Sequence, residues 1–308
     1  MGKPFLTIKQ QIALLESRGA RTSPDTGEKL LREGYYSIVN GYKDPFKDEP
    51  ASKEAGDDRY SPGTTFDSMY HLFEFDRELR SLTFRYLIRA EATARTAIAY
   101  CFSEAHPGPG DYLIEGNYCT EGEFKAYAGN ETTHSEEMET LLKTLRNRVK
   151  KSKSEFIIHY RDSQGSVPLW VLANDLTFGN IEHFFNLMKP REKDAVCKAI
   201  SYSTERIGDK RLGFFSSDKA RVCLEVLVKF RNICAHDERL YCASVGGRKG
   251  INYEKMIWML ERFLTPSEFY NFLKELTGLL RANAGQTQAI KHIINQIGFN
   301  VPQEKLLS

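Results

Sequence analysis

No run of about 18 apolar residues occurs anywhere in this 308-residue chain, which argues against a membrane-spanning helix. The first residues carry Lys3 and Lys9 but no apolar stretch of signal-peptide length. Cysteine is sparse: Cys101, Cys119, Cys197, Cys223, Cys234 and Cys242 form no C-x-x-C pair and no spacing with histidine that suggests zinc. Most of them fall in apolar helical patterns, where a free thiol acts as a small hydrophobe, so no disulfide framework is expected and a reducing cytoplasm is the expected compartment. Net charge is nearly absent as well. Forty-three basic and 41 acidic residues leave +2, so contact with a nucleic acid has to come from local patches rather than from a global field. Gly108-Pro109-Gly110 lacks the following Lys-Ser/Thr of a phosphate loop. Glu182-His183 lacks a second histidine four residues away, so a structural turn is expected there and not a zinc site. Neither a metal nor another cofactor is expected. No internal repeat and no alternating strand pattern appears. What is present is 41% hydrophobic residues, enough to build the core of one large or two small domains.

That apolar content is arranged with helical period. Thr7 with Gln10 has the pattern of a capping box and predicts a helix through Arg18, stopped by Gly19. Asp25 with Glu28 repeats the device before a short helix ending at Gly34. Tyr35, Tyr36, Tyr42 and Phe46 follow around Gly41 and Pro45; such a cluster packs under a loop more often than it stacks on bases. Residues 47–63 are polar and broken by Pro and Gly, which predicts an exposed loop. Thr65 then caps the longest helix, to about Glu104, whose stripe from Leu72 and Phe75 to Ala97 is that of a bundle spine. On it Glu91 and Arg95 can pair at i, i+4. Arg85 and Arg89 are like charges at that spacing and need an acidic partner, either a protein carboxylate or an RNA phosphate.

A polar helix over about 135–151 ends in Arg146, Arg148, Lys150 and Lys151, with Lys153 beyond. These cations complement the helix dipole, and they are also the best candidates for contacting an RNA backbone. Pro168 starts another helix with Trp170, Leu172 and Leu176 inward, interrupted at residues 177–180 and resumed by Ile181 to Leu187. A short helix over 190–200 precedes a loop over 201–216 that holds Arg206, Lys210 and Arg211. Beyond a basic turn at 246–250, further helices are predicted over 252–264, 266–282 and 286–297. The expected organisation is a helical module at 1–46, an exposed loop at 47–63, a core bundle at 64–245 and a C-terminal helical extension at 246–308.

Chemistry concentrates in one stretch, Phe230-Arg231-Asn232-Ile233-Cys234-Ala235-His236. Cys223, Leu227, Phe230 and Cys234 form the apolar stripe of a packed helix capped by Ser217. Asn232 and His236, four apart, share a face pointing away from that stripe, with Arg231 on its flank. Asn232 is placed to hydrogen-bond one imidazole nitrogen and leave the other free. The arginine adds a planar fork suited to phosphate oxygens. A base beside a phosphate clamp is what metal-free RNA cleavage needs. Five residues, however, mean roughly 140° of rotation and about 7.5 Å of rise, so Arg231 and His236 of one copy do not converge. Either the helix loosens near Ala235 or a second copy completes the site across a two-fold axis.

Arg-Asn followed after three residues by His resembles the Arg-x4-6-His signature of the HEPN superfamily of helical ribonucleases. In its wider pattern the chain resembles bacterial abortive-infection proteins of the AbiD/AbiF type. That likeness rests on Gly34-Tyr35-Tyr36 with Gly41-Tyr42 and Pro45-Phe46, on Phe75 to Arg80, on Glu91 with Arg95 and residues 98–100, on Trp170 with Phe178-Gly179, and on Phe230 to Tyr241. The resemblance implies an all-α, HEPN-like bundle with N- and C-terminal helical extensions. It also implies a metal-independent endoribonuclease of phage defence that leaves cyclic 2′,3′-phosphate ends, with His236 as general base, Arg231 as transition-state stabiliser and Asn232 as orienter. Its partners would be substrate RNA, a regulatory non-coding RNA and a second copy. The alternative is a non-catalytic RNA-binding or interaction module on the same scaffold.

Overall fold

The structure is a computed structural model that describes residues 4–126, 132–204, 214–246, 250–285 and 290–291. Arg206, Lys210 and Arg211, the centre of the basic turn at 247–249 and nearly all of the helix predicted over 286–297 lie outside them. Of the described residues 73% are helical, and the fold is all-α. Its helices are α1 (Ile8–Ser17), α2 (Thr26–Glu33), α3 (Glu49–Ala55), α4 (Phe66–Ala105), α5 (His134–Lys151), α6 (Glu155–Gln164), α7 (Leu169–Leu172), α8 (Phe178–Leu187), α9 (Pro190–Thr204), α10 (Ser217–Ala235), α11 (Tyr253–Leu260) and α12 (Pro266–Asn283). Among the described residues the strands are two antiparallel pieces of two residues each, β1 (Ser244–Val245) and β2 (Ile251–Asn252). Compactness divides the chain into Met1–Leu82 with Arg239–Tyr241 and Leu273–Ser308, and Thr83–Glu238 with Cys242–Phe272. Both α4 and α12 contribute residues to each unit.

In the first unit, local sequence rules account for most boundaries. Thr7 and Gln10 cap α1 reciprocally. Gly19, at φ +93°, closes it as a Schellman turn, with Gly19 N donating to Glu16 O and Ala20 N to Leu15 O, both at 3.0 Å. Asp25 departs from expectation. Its side chain does not cap α2; it takes Ser23 Oγ at 2.6 Å and Lys29 Nζ at 2.7 Å instead. Residues 47–63 differ too: they contain α3, capped by Asp48, and Arg18 grips Asp57 through Nε (3.1 Å) and a terminal nitrogen (2.6 Å). A two-pronged guanidinium–carboxylate contact ties down what composition alone reads as a loop.

At the centre of this unit lies Asp76, fully buried on α4. It accepts from Arg80 (2.6 Å), from Tyr42 Oη (2.8 Å) and from the backbone N–H groups of Leu240 (3.1 Å) and Tyr241 (2.7 Å). Burial pushes its carboxyl group up, and the four donors pull the other way. The segment at 240–241, which begins four residues after His236, is thereby pinned to α4.

In the second unit α8 packs against both α5 and α10. Its inner face joins Phe102 and Tyr118 through Phe184, with ring centroids 4.9 and 5.5 Å apart. Thr177 and Asn180 form a capping box at its start, which is why the sequence breaks there. His183 bonds to the buried carboxylate of Glu137, and this contact raises the imidazole pKa. Trp170 is a correction: it lies between buried Leu169 and Val171 on α7, yet its own side of that single turn faces out and it is 52% exposed.

Candidate functional site

Helix α10 keeps its predicted apolar stripe, but its cap is one residue earlier than expected: Ser217 is the first helical residue. Ser216 caps it, accepting from Lys219 N, and Cys223, Leu224, Leu227 and Phe230 are buried. It ends at Ala235, with His236 as the capping residue at φ −104° and ψ 16°. The chain then turns through Asp237, whose φ of +60° is the one positive value at a non-glycine among the described residues. Glu238 N donates to Ile233 O at 3.2 Å, the longer bond of a Schellman turn. This position usually holds glycine, because a Cβ there meets the following carbonyl. The sequence therefore exits its helix through a strained residue directly after the candidate base.

The two candidate side chains have different surroundings. Arg231 is half-buried at 28% side-chain exposure, with its Nε 3.3 Å from Oε2 of Glu91 and its guanidinium carbon 6.0 Å from the centre of the Phe84 ring. The Nε contact lies off the hydrogen-bond axis, so it is an ion pair without a directed hydrogen bond. Oε1 of the same carboxylate takes Arg95 at 2.9 Å. Glu91 is only 8% exposed and is shared by two guanidiniums, one from its own helix and one from α10. Such a carboxylate holds Arg231 through its Nε side and leaves the terminal nitrogens without a carboxylate partner among the described residues.

His236 is exposed, and its ring bonds to nothing among the described residues. Asn232 is exposed as well. Its Oδ1 lies 3.4 Å from a terminal nitrogen of Arg231, and only its backbone carbonyl reaches His236, through the helical bond to His236 N at 2.9 Å. The expected Asn232-to-imidazole bond is thus replaced by an Asn232-to-arginine contact, and His236 sits at the cap, where the backbone has left helical geometry. Glu91, whose part in holding Arg231 the sequence did not reveal, did leave a signal. It falls on the stripe Leu87, Ala94 and Ile98, all buried, and a carboxylate in a core position requires a cationic partner.

Of the other cations, Arg89 meets Glu268 at 2.8 Å, so a protein carboxylate answers the Arg85–Arg89 pair at that end, while Arg85 lies 5.4 Å from the Tyr86 ring. At the end of α5, Arg148 approaches Asp175 at 3.7 Å and Arg146 reaches Leu113 O at 3.5 Å. Lys150, Lys151 and Lys153 are exposed with no acidic partner among the described residues. This cluster and Arg231 each have a neighbour at the start of α8. Asp175 precedes its cap, and a Cβ on Gly179 would lie 3.9 Å from Val228 of α10.

A cleft of about 470 Å³ opens in the same unit between α4 and α7, lined by Arg95, Ala99, Tyr100, Trp170, Ala173 and Asn174 among others. Among the described residues no cluster of three or more His, Cys, Asp or Glu could hold a metal ion, and no helix is long and apolar enough to cross a membrane. Four cysteines are buried, Cys234 is half-buried and Cys242 exposed, all as free thiols.

Among curated proteins and among solved structures no match was found. The family model described as Abi-like protein, in contrast, matches residues 28–242, well over half of the chain. Asp76, Glu91, Trp170, Arg231 and His236 all fall within the match. This chain thus belongs to the Abi-like protein family, a membership that points to abortive infection as a defence against phage.

Proposed function

We propose that the protein is a metal-independent endoribonuclease of the HEPN type, acting in abortive infection at a site completed by a second copy. The observation that carries this reading is the pose of Arg231: a buried carboxylate holds its Nε side and Asn232 touches one terminal nitrogen, five residues before an imidazole that bonds to nothing among the described residues. In the proposed reaction His236 takes the proton from a ribose 2′-hydroxyl, and the 2′-oxygen attacks phosphorus. The bond from phosphorus to the 5′-oxygen breaks, giving a cyclic 2′,3′-phosphate, and an imidazolium of the second copy protonates the departing 5′-oxygen. Arg231 stabilises charge on the non-bridging oxygens as it develops. Asn232, in contact with the guanidinium, orients Arg231 rather than the imidazole. Lys150, Lys151 and Lys153 contribute backbone contacts to RNA, and a structured non-coding RNA bound there would restrain the enzyme.

The test is incubation of purified protein with total RNA in EDTA, beside Arg231→Ala and His236→Ala. Cleavage in EDTA that is lost in both variants, with 2′,3′-cyclic ends on the products, is the expected result. RNA binding without cleavage by the wild type would replace the nuclease with a binding module, and activity abolished by EDTA would replace it with a metal-dependent hydrolase.

A further inference from the structure

The cleft beside α7 has a chemistry of its own. Ala99 and Ala173, both buried, make a floor of small side chains. Trp170 and Tyr100 stand on it at 52% and 61% exposure, two large aromatic faces turned to solvent in a unit whose other rings mostly pack inward. The rim is polar. Glu104 accepts from Tyr100 Oη at 3.2 Å, and Asn174 donates to Trp170 O at 3.0 Å, leaving its amide oxygen unbonded. Inside, Ser103 Oγ and Arg95 Nε are buried without hydrogen-bond partners among the described residues. A flat hydrophobic platform with donors and acceptors around its edge suits a heteroaromatic ring better than an aliphatic chain.

Its position narrows the occupant. Arg95 lines the cleft and shares Glu91 with Arg231. On the other side Asn174 is followed by Asp175, the partner of Arg148 at the basic end of α5. The cleft thus lies, by connected contacts, between the guanidinium assigned to the scissile phosphate and the lysines assigned to the RNA backbone. About 470 Å³ falls within the usual range for a small-ligand site.

We propose that this cleft holds one unpaired nucleobase of the RNA strand, stacked on Trp170 and flanked by Tyr100, with its edge read by Glu104 and Asn174 and its phosphate facing Arg95. The proposal rests on the nuclease reading for the identity of the strand and makes Trp170 a specificity determinant for single-stranded substrate.

The experiment uses the full chain carrying Trp258→Phe, so that Trp170 is the sole indole. The probe is a single-stranded oligonucleotide with 2′-deoxy sugars, which lacks the attacking hydroxyl and survives, compared with an abasic strand of equal length. Saturable quenching of Trp170 by the first strand and none by the second is expected. In the native background Trp170→Ala should weaken the strand's affinity by about 5- to 150-fold, and Trp170→Tyr should restore most of it, as a stacking face requires. Equal quenching by both strands, or none, overturns the proposal. So does Trp170→Ala converting a dimer to a monomer with strand affinity unchanged, which would assign the cleft to contact between copies. Because the probe cannot be cleaved, the two readings fail separately. Quenching with no cleavage of ordinary RNA would retain the base cleft and remove the nuclease, while cleavage and affinity unaltered by Trp170→Ala would do the reverse.

Discussion

Replacing Glu91 with glutamine isolates what the carboxylate does for Arg231, because the amide keeps the size of the side chain and one acceptor but not the charge. The ion pair with Arg231 at 3.3 Å has a Coulomb energy of about 5 kcal/mol at an effective dielectric constant of about 20. The net effect on stability is smaller. Arg95 and Arg231 retain 22% and 28% exposure and recover water contacts when the charge is lost, so the loss should be about 1–2 kcal/mol, below that for a fully buried pair. The effect on turnover follows from geometry. Without an anchor on Nε the guanidinium samples other rotamers, and a displacement of about 1 Å costs up to about 100-fold in rate. We expect kcat to fall about 10- to 100-fold in Glu91→Gln. Substrate affinity should stay level or tighten, since a negative charge near the phosphate has been removed. Single-turnover cleavage of a labelled RNA, with binding measured on a 2′-deoxy analogue, separates the two quantities. A variant that melts earlier but cleaves at the wild-type rate would refute the reasoning and reduce Glu91 to a stabilising contact.

Three further outcomes test the architecture around the site. Asp76→Ala strands the buried Arg80 guanidinium and frees the 240–241 segment, so urea unfolding should show a loss of about 3–5 kcal/mol. At the left-handed position after His236, Asp237→Gly should be more stable than Asp237→Ala by about 1 kcal/mol in thermal melts, a comparison from which the lost carboxylate cancels. For His183, Glu137 holds the folded-state pKa above the unfolded value of about 6.5, so its contribution is complete below that value and is lost as pH rises through the raised folded value. Melting temperature should therefore drop from pH 6 to pH 8 by an amount worth at most about 1 kcal/mol, since the imidazole is 43% exposed, and His183→Gln should flatten that slope.

Much of the helical architecture was legible from local rules, though Asp25 takes Ser23 and Lys29 instead of capping α2 and the cap of α10 is Ser216 rather than Ser217. Thr7, Thr65, Thr177 and Gly19 act at their own positions, and each lies at a helix end in the fold. Other expectations failed where a contact distant in sequence, or a helix too short to show a period, decides the outcome. Asp57 is called into a structured segment by Arg18, 39 residues before it. Trp170 points outward because its single helical turn buries Leu169, Val171 and Leu172 instead, a choice that periodicity cannot make in four residues. The motif residues were visible as types and spacing, and the pairing of Glu91 with Arg95 as an i, i+4 contact. That the same carboxylate also serves Arg231 depends on how α4 and α10 pack, 140 residues apart, and no local pattern carries that.

Charge counting around Glu91 bears on the proposed dimer. Two guanidiniums share one carboxylate, so the Glu91 cluster by itself carries one positive charge in excess where the proposed phosphate would lie. A two-fold contact there would set two such charges opposite each other. In free protein this opposes association at low ionic strength, where the repulsion persists over about 30 Å at 0.01 M salt, and the opposition weakens as the screening length falls to about 8 Å at physiological salt. A phosphate between the copies reverses the sign, because its charge is attracted to both. RNA binding and dimerisation are then linked: each strengthens the other by the same factor. With His236→Ala, which binds without cutting, light scattering should show a dimer that tightens as salt is raised in the absence of RNA and that tightens further when a 2′-deoxy strand is added. A dimer that instead dissociates as salt increases, and ignores the strand, would place the contact on another surface and leave Arg231 and His236 of each copy to act alone.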